Sequence, residues 1–214
     1  MSDEGETVRL DDMHFEGPEL DIGVPPPSVP YADHEDWVAD ALLEANGIPL
    51  TEEGVLEALR TQENVLLGAA AHAAGRHGYS GAADRLREVA RGPDDYAGVE
   101  AAFALARLGA DEGRELLRAA LDRPVGPYLS PLLAAGDAAR LGDPSGFVHI
   151  REGLGSDLHA VRMLACKQLA FFLPFEGNPL PDGTMVDARA QLERALADPD
   201  PGIRAQAQAQ RPAG

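Results

Sequence analysis

Small and apolar residues recur along this chain in register with three glycines. Gly78, Gly109 and Gly142 are separated by steps of 31 (78 to 109) and 33 (109 to 142) residues. Four residues before each stands Ala74, Leu105 or Ala138, and eight before stands Ala70, Ala101 or Ala134. Eight after stands Leu86, Leu117 or Ile150. Spacing of four puts residues on one face of a helix, and glycine is the residue on which a helix most readily ends and turns. Each unit therefore predicts a helix, a tight corner and a second helix. A fourth copy fits "AVRMLACKQLAFFL", with Val161, Ala165 and Leu169 in register but Leu173 where the glycine belongs. A fifth starts at "DPDPGIRAQAQAQ" with Ile203 and Ala207. Upstream, "DHEDWVADALLEAN" predicts a helix with Asp33 as N-cap, stopping at Asn46-Gly47, and "TEEGVLEALRT" one capped by Thr51.

A helix pair of this length cannot bury its apolar face alone, whereas stacked copies can, so self-similarity at this period predicts an α-solenoid. Alanines at the contact positions let neighbouring helices approach closely, and leucines fill the space between layers. Residues 1–30 break the pattern. Pro18, Pro25, Pro26, Pro27 and Pro30 forbid a long helix. The runs "TVRLDDMHF" and "ELDIGV" either pair as a small hairpin or lie extended, and "VPPPSVPY" reads as a stiff linker. The expected division is an acidic, Pro-rich segment over 1–32 and a helical domain over 33–214.

At these residues the sequence resembles HEAT repeats of the PBS-lyase type, a short variety common in bacteria. "DPDPGIRAQAQAQ" carries the opening of that repeat through Asp198, Asp200, Pro201, Ile203 and Arg204. "AVRMLACKQLA" continues it through Val161, Arg162, Ala165 and Leu169, and "AARLGDPSG" carries the corner through Leu141, Gly142 and Asp143. The likeness covers roughly residues 50–210. It implies an all-α, right-handed superhelix of about five HEAT-like helix pairs. It says little about function, since the family includes scaffolds, inhibitors, chromophore lyases and some DNA glycosylases. The copies near Ala97 and Ser130-Pro131 lack the Val-Arg pair, and the fourth gains the insertion "PFEGNPLPDGTMVD" over 174–187, either a functional loop or a tolerated one.

Charge sharpens the picture. The net formal charge is −18. Residues 1–63 hold 17 acids against Arg9 and Arg60, a balance of −15, and residues 64–214 hold 19 acids against 16 bases, a balance of −3. An acidic front beside a nearly neutral body repels phosphate backbones and membrane surfaces and attracts basic partners. Nucleic acid and membrane are therefore not expected as partners. Aromatics make up 5% of the chain, so the core rests on Ala, Leu and Val. The single cysteine, Cys166, lies in an apolar run and reads as a core residue. The N-terminus has neither the basic nor the apolar run of a secretory signal, and no stretch is apolar enough to cross a bilayer, which makes the cytoplasm the expected location.

Catalytic patterns are not evident. No nucleophile elbow is present, no glycine-rich loop precedes the only lysine, Lys167, and His72 and His77 are five apart, the wrong spacing for ligands on one helical face. His14 beside Asp11 and Asp12 reads as solvated, and the "DHED" at 33–36 as a helix start. Asp84/Arg87 and Glu115/Arg118 read as surface ion pairs. Two columns remain. Arg76, Arg107 and Arg140 each stand two residues before an aligned glycine, near the ends of helices expected to line a concave face. They serve either to offset helix dipoles or to bind. The acidic N-terminal segment is expected to fold back along this row, or to compete there with an acidic partner. The second column, six before the glycine, reads His72, Phe103, Gly136 and, in the fourth copy, Lys167. The expected function is non-enzymatic protein binding through the concave face and the acidic N-terminal region, with Arg76, Arg107, Arg140, His72, Phe103 and Lys167 as partner-binding residues. One form of it is an inhibitor or immunity protein covering a basic partner. The alternative is a HEAT-type lyase- or isomerase-like enzyme acting on a small molecule. Neither a metal nor another cofactor is implied.

Overall fold

The three aligned glycines are helix ends built in the same way. In a computed structural model, which describes residues 22, 25–26, 28–93, 95–123 and 129–211, Gly78, Gly109 and Gly142 have φ of 74°, 86° and 88°. That left-handed turn favours glycine. In each corner the next residue's amide reaches back to the aligned carbonyl: Tyr79 to Ala74, Ala110 to Leu105 and Asp143 to Ala138, all at 2.9 Å. This bond satisfies a carbonyl that the helix end would leave open. The register read from side chains is thus also a register of backbone hydrogen bonds.

Among the described residues the chain forms eleven α-helices and no strand. They are α1 His34–Ala45, α2 Glu52–Thr61, α3 Asn64–His77, α4 Ala83–Ala90, α5 Asp95–Arg107, α6 Asp111–Leu121, α7 Ser130–Arg140, α8 Phe147–Leu154, α9 His159–Gln168, α10 Ala188–Leu196 and α11 Pro201–Ala209. The helices pack in sequential pairs. The odd-numbered helices from α3 to α11 also lie side by side in a row, and α1 packs against α3. No described helix is long and apolar enough to cross a membrane. Thr51 caps α2 as expected, accepting from the Gly54 amide at 3.2 Å, and Asp200 caps α11 ahead of Pro201. Asp33 occupies the N-cap position of α1 but its side chain caps nothing. The hairpin expected over 7–24 (apart from Ile22) and the solvated His14 lie outside the described residues.

Close approach explains the alanines. In α3 every residue from Gly68 to Gly75 is buried. A Cβ on Gly75 would stand 2.5 Å from the Ala104 Cα of α5, so these two helices touch backbone to backbone. The core runs in three patches. One joins Leu43, Val55, Leu59, Leu86 and Leu105; another joins Leu132, Phe147, Ile150, Val161, Phe172 and Ile203; Val99, Phe103, Leu117 and Ala134 form the third. Cys166 is buried in the second patch, and burial pushes its thiol up to about 11. It is a neutral core residue at physiological pH.

The 174–187 insertion is folded. Gly177 and Val186 exchange backbone bonds with Val186 and Asn178, Leu180 donates to Thr184 at 2.8 Å, and Leu180 and Val186 enter the core. Asp84 and Arg87 pair at 2.6 Å, whereas Arg118 lies 3.8 Å from Asp143 of the following corner.

The two kinds of glycine should respond differently to alanine. Around a Cβ at Gly142 there is nothing within 4 Å, so Gly142→Ala meets only backbone strain, about 1–2 kcal/mol. A Cβ at Gly113 would meet the Ala106 nitrogen at 2.4 Å and the Ala102 oxygen at 2.5 Å. Gly113→Ala must separate α5 from α6, at a cost of about 1–3 kcal/mol. Urea unfolding of both variants checks the order, and the Gly113 variant should be the less stable.

Candidate functional site

Helix α1 is held on two faces by different forces. Ala39, Leu42 and Leu43 enter the core shared with α2 and α3. Glu35, Asp36 and Asp40 face cations from α3, α5, α7 and α9. Arg76 Nη1 lies 2.9 Å from an Asp40 oxygen. Arg107 Nη1 donates to Asp36 Oδ1 at 3.1 Å, and Arg140 Nη2 to the same oxygen at 2.6 Å. Arg140 Nη1 donates to Glu35 at 3.2 Å, and Lys167 Nζ lies 3.4 Å from Glu35. Gln168 donates to Glu35 at 3.0 Å. The one-per-repeat spacing of the arginines makes this possible. Each stands in the last turn of its helix, so each end of the row presents a cation at the same height.

His72 is the hinge of the cluster. It is 3% exposed, and its ring nitrogens lie 2.6 Å from Asp36 Oδ1 and 2.6 Å from Glu100 Oε2. Both nitrogens must carry protons to serve two carboxylates, so the ring is an imidazolium. Burial opposes that charge, but Glu100 and Asp36 overcome it and push the pKa up to about 9. Burial likewise opposes the charge on Asp36, yet the His72 bond, Arg140 and Arg107 hold its carboxyl well below the usual range. Glu35 is also held low, by Lys167 and Arg140 against burial. Asp137, buried beside Arg140, behaves oppositely: burial and the nearby Glu100 charge raise it far above an ordinary carboxyl. Phe103 is 2% exposed and floors the cluster. The guanidinium carbons of Arg140 and Arg107 stand 4.6 and 5.4 Å from its centroid, within cation–π range.

All six residues singled out from sequence meet here, but in different states. His72 and Phe103 are buried and offer no surface to a partner. Arg76, Arg107, Arg140 and Lys167 remain partly exposed, each already facing a carboxylate of α1. The "DHED" stretch was expected to cap a helix; instead its Glu35 and Asp36 cross to other helices. Sequence reasoning also missed Glu100, Asp137 and Asp40. Asp36 carried a signal: it stands three before Ala39 and seven before Leu43, in the stripe that enters the core. Glu100 and Asp137 carried one too, as lone acids inside alanine-rich runs.

Two spaces border the cluster. A small one of about 50 Å³ lies between α1 and the row, touching Glu35, Leu42, His72, Glu100 and Lys167. An open groove of about 510 Å³ runs past the start of α1, between Asp36, Arg107 and Arg140 on one side and Phe171, Pro174 and Phe175 on the other. Among the described residues no group of three or more His, Cys, Asp and Glu side chains has the arrangement of a metal site.

Stability should follow the charge on His72. The folded ring has a pKa of about 9 against 6.5 unfolded. Its contribution is fully present below pH 6.5 and is lost as the pH rises through 9. The depressed Asp36 contributes above about pH 4 and loses that contribution on further acidification. Urea unfolding should show a plateau between these limits and a loss of about 2–3 kcal/mol between pH 6 and pH 9.5. His72→Gln should flatten the alkaline limb; an unchanged limb would assign it to other groups. Comparison of the chain with protein-family models, with curated proteins and with solved structures finds no match.

Proposed function

We propose that the chain is a HEAT-type α-solenoid, a right-handed superhelix, that acts as a non-enzymatic protein-binding module for a basic partner. The repeated corners and the side-by-side row of odd-numbered helices support the solenoid reading. The observation that carries the partner's chemistry is an uneven match of charges. The carboxylates of Glu35, Asp36 and Asp40 are matched by cations beneath them. The exposed Asp33, Glu44, Glu53, Glu57 and Glu63 around α1 and α2 have Arg60 as the sole base within residues 22–63. This edge gives the molecule a negative field suited to a basic surface, as an inhibitor or immunity protein would need.

Pull-downs with the full chain and with a Glu53→Lys/Glu57→Lys/Glu63→Lys variant test the reading. The expected partners are basic proteins, retained at 0.05 M salt, at least tenfold depleted at 0.5 M and lost with the variant. Retention that ignores both salt and the reversed charges would refute it. One observation favours a small-molecule role instead. The 510 Å³ groove has the volume of a ligand site and borders groups with shifted proton affinities. Saturable stabilisation by a small metabolite, abolished by Phe171→Ala, would support that reading.

A further inference from the structure

We propose that the row of cations on α3, α5, α7 and α9 is a receptor for an acidic amphipathic helix of a partner protein, with α1 as its resident occupant in cis. This surface is separate from the acidic edge above, and neither proposal requires the other.

The argument starts from charge. Arg76, Arg107, Arg140, Lys167 and the His72 imidazolium face α1 from four helices. Their own helices supply only two carboxyl groups to this cluster, Glu100 and Asp137. Without α1, five cations would face outward with only two carboxyls among them, a concentrated positive patch that attracts negative charge. An occupant that covers them again must bring negative charge, or it would bury them unpaired. It must also bring it on a helix face: Arg76, Arg107, Arg140 and Lys167 come one each from α3, α5, α7 and α9, and the carboxylates that meet them sit at positions i, i+1 and i+5 of α1.

The seat is longer than its occupant. Arg107 and Arg140 line the open groove as well as pairing with Asp36. Beyond them the groove continues over Phe171, Pro174 and Phe175, next to Ala32 and Asp33, where α1 has not yet begun. A partner helix with the same acids and one more apolar turn at its N-terminal end would keep every ion pair of α1 and add contact with these aromatics. Those contacts are what a helix in trans needs to outcompete one held at millimolar effective concentration by its tether. The first turn of α1, His34 to Trp37, carries Glu35 and Asp36 and adds no residue to the apolar core, so it is the part that opens first.

The only tryptophan in the chain, Trp37, lies on α1 and reports the exchange. The probe is a synthetic peptide of residues 31–46 with Trp37→Phe, extended at its N-terminus by one apolar turn. It is titrated into the full-length protein and into a Glu35→Gln/Asp40→Asn variant. The expected result is a saturable change in Trp37 emission, with at least tenfold tighter binding to the variant. A peptide carrying Glu35→Gln, Asp36→Asn and Asp40→Asn should bind at least tenfold more weakly. Equal binding of both peptides, or no change at saturating peptide, overturns the proposal. If the variant fails to fold, hydrogen exchange of the unmodified protein decides. Amides of residues 34–40 should exchange at least tenfold faster at 0.5 M than at 0.05 M salt while α3 stays unchanged; equal protection of α1 at both salts overturns it.

Discussion

Asp36→Ala is expected to destabilise the protein by about 3–5 kcal/mol, the cost of removing one partner from a buried ion pair. Asp36 accepts from Arg107 and Arg140 and lies 2.6 Å from His72, all at one oxygen. Truncation leaves two guanidinium groups and an imidazolium facing each other with their nearest counter-charge gone. Arg140 has the least freedom to escape, since its side chain is 11% exposed and its guanidinium is stacked over Phe103 and Phe171. For a chain of this size the loss corresponds to a fall in Tm of about 6–20 °C. Asp36→Asn should cost less, because the amide oxygen still accepts. Arg140→Met combined with Asp36→Ala should cost less than the two single changes added together, by 1 kcal/mol or more, as expected for groups in direct contact. Thermal and urea unfolding by circular dichroism measure all four variants. A cost below about 1 kcal/mol for Asp36→Ala, or strict additivity, would show that α1 is held by Leu42 and Leu43 alone.

The same residue marks how far the sequence could be read. The glycine register predicted helix ends correctly because a Schellman corner is a local event: the amide just after the turning glycine and the carbonyl it satisfies are five positions apart. The arginine column was legible for the same reason, as a repeat of a local position. What faces that column was not. Glu35 and Asp36 lie in the first turn of α1, where acids also suit the helix dipole. A nearby, sufficient explanation hid the remote one, an ion pair 104 residues away in the case of Asp36 and Arg140. The expectation that the acidic N-terminal segment folds back along the arginines concerned residues before 33, and residues 1–21, which hold eight of the acids, lie outside the described residues; the carboxylates that face the arginines are those of α1, inside the helical domain. Periodicity reports which face of a helix is buried. It does not report which distant helix covers that face; Asp36 in a core-facing stripe, with Glu100 and Asp137 as lone acids in alanine-rich runs, marked only that polar partners were needed.

Phe172→Ala is expected to cost about 3–5 kcal/mol, the range for emptying a buried aromatic site. The fourth copy of the repeat has Leu173 where the others have a corner glycine. In its place the chain runs from α9 into a 3-10 segment, Leu169–Phe175, closed by Pro174. Without the left-handed turn the segment carries straight on, and Phe172 is driven into the core, where it is 0% exposed and its ring centroid stands 5.2 Å from that of Phe147 at the start of α8. The 174–187 insertion then returns Leu180 and Val186 to the same patch. The lost glycine and the added loop are therefore one structural change: the aromatic segment fills the layer that a helix corner fills elsewhere, and the loop closes over it. Phe172→Leu, which keeps most of the volume, should cost under about 1.5 kcal/mol. Urea midpoints of the two variants separate the readings of the insertion. A large gap between Ala and Leu means that the segment is part of the core and that shortening 174–187 would unseat it. A cost below 1 kcal/mol for both would mean that the loop and its aromatic lead-in can be changed without consequence for the helices around them.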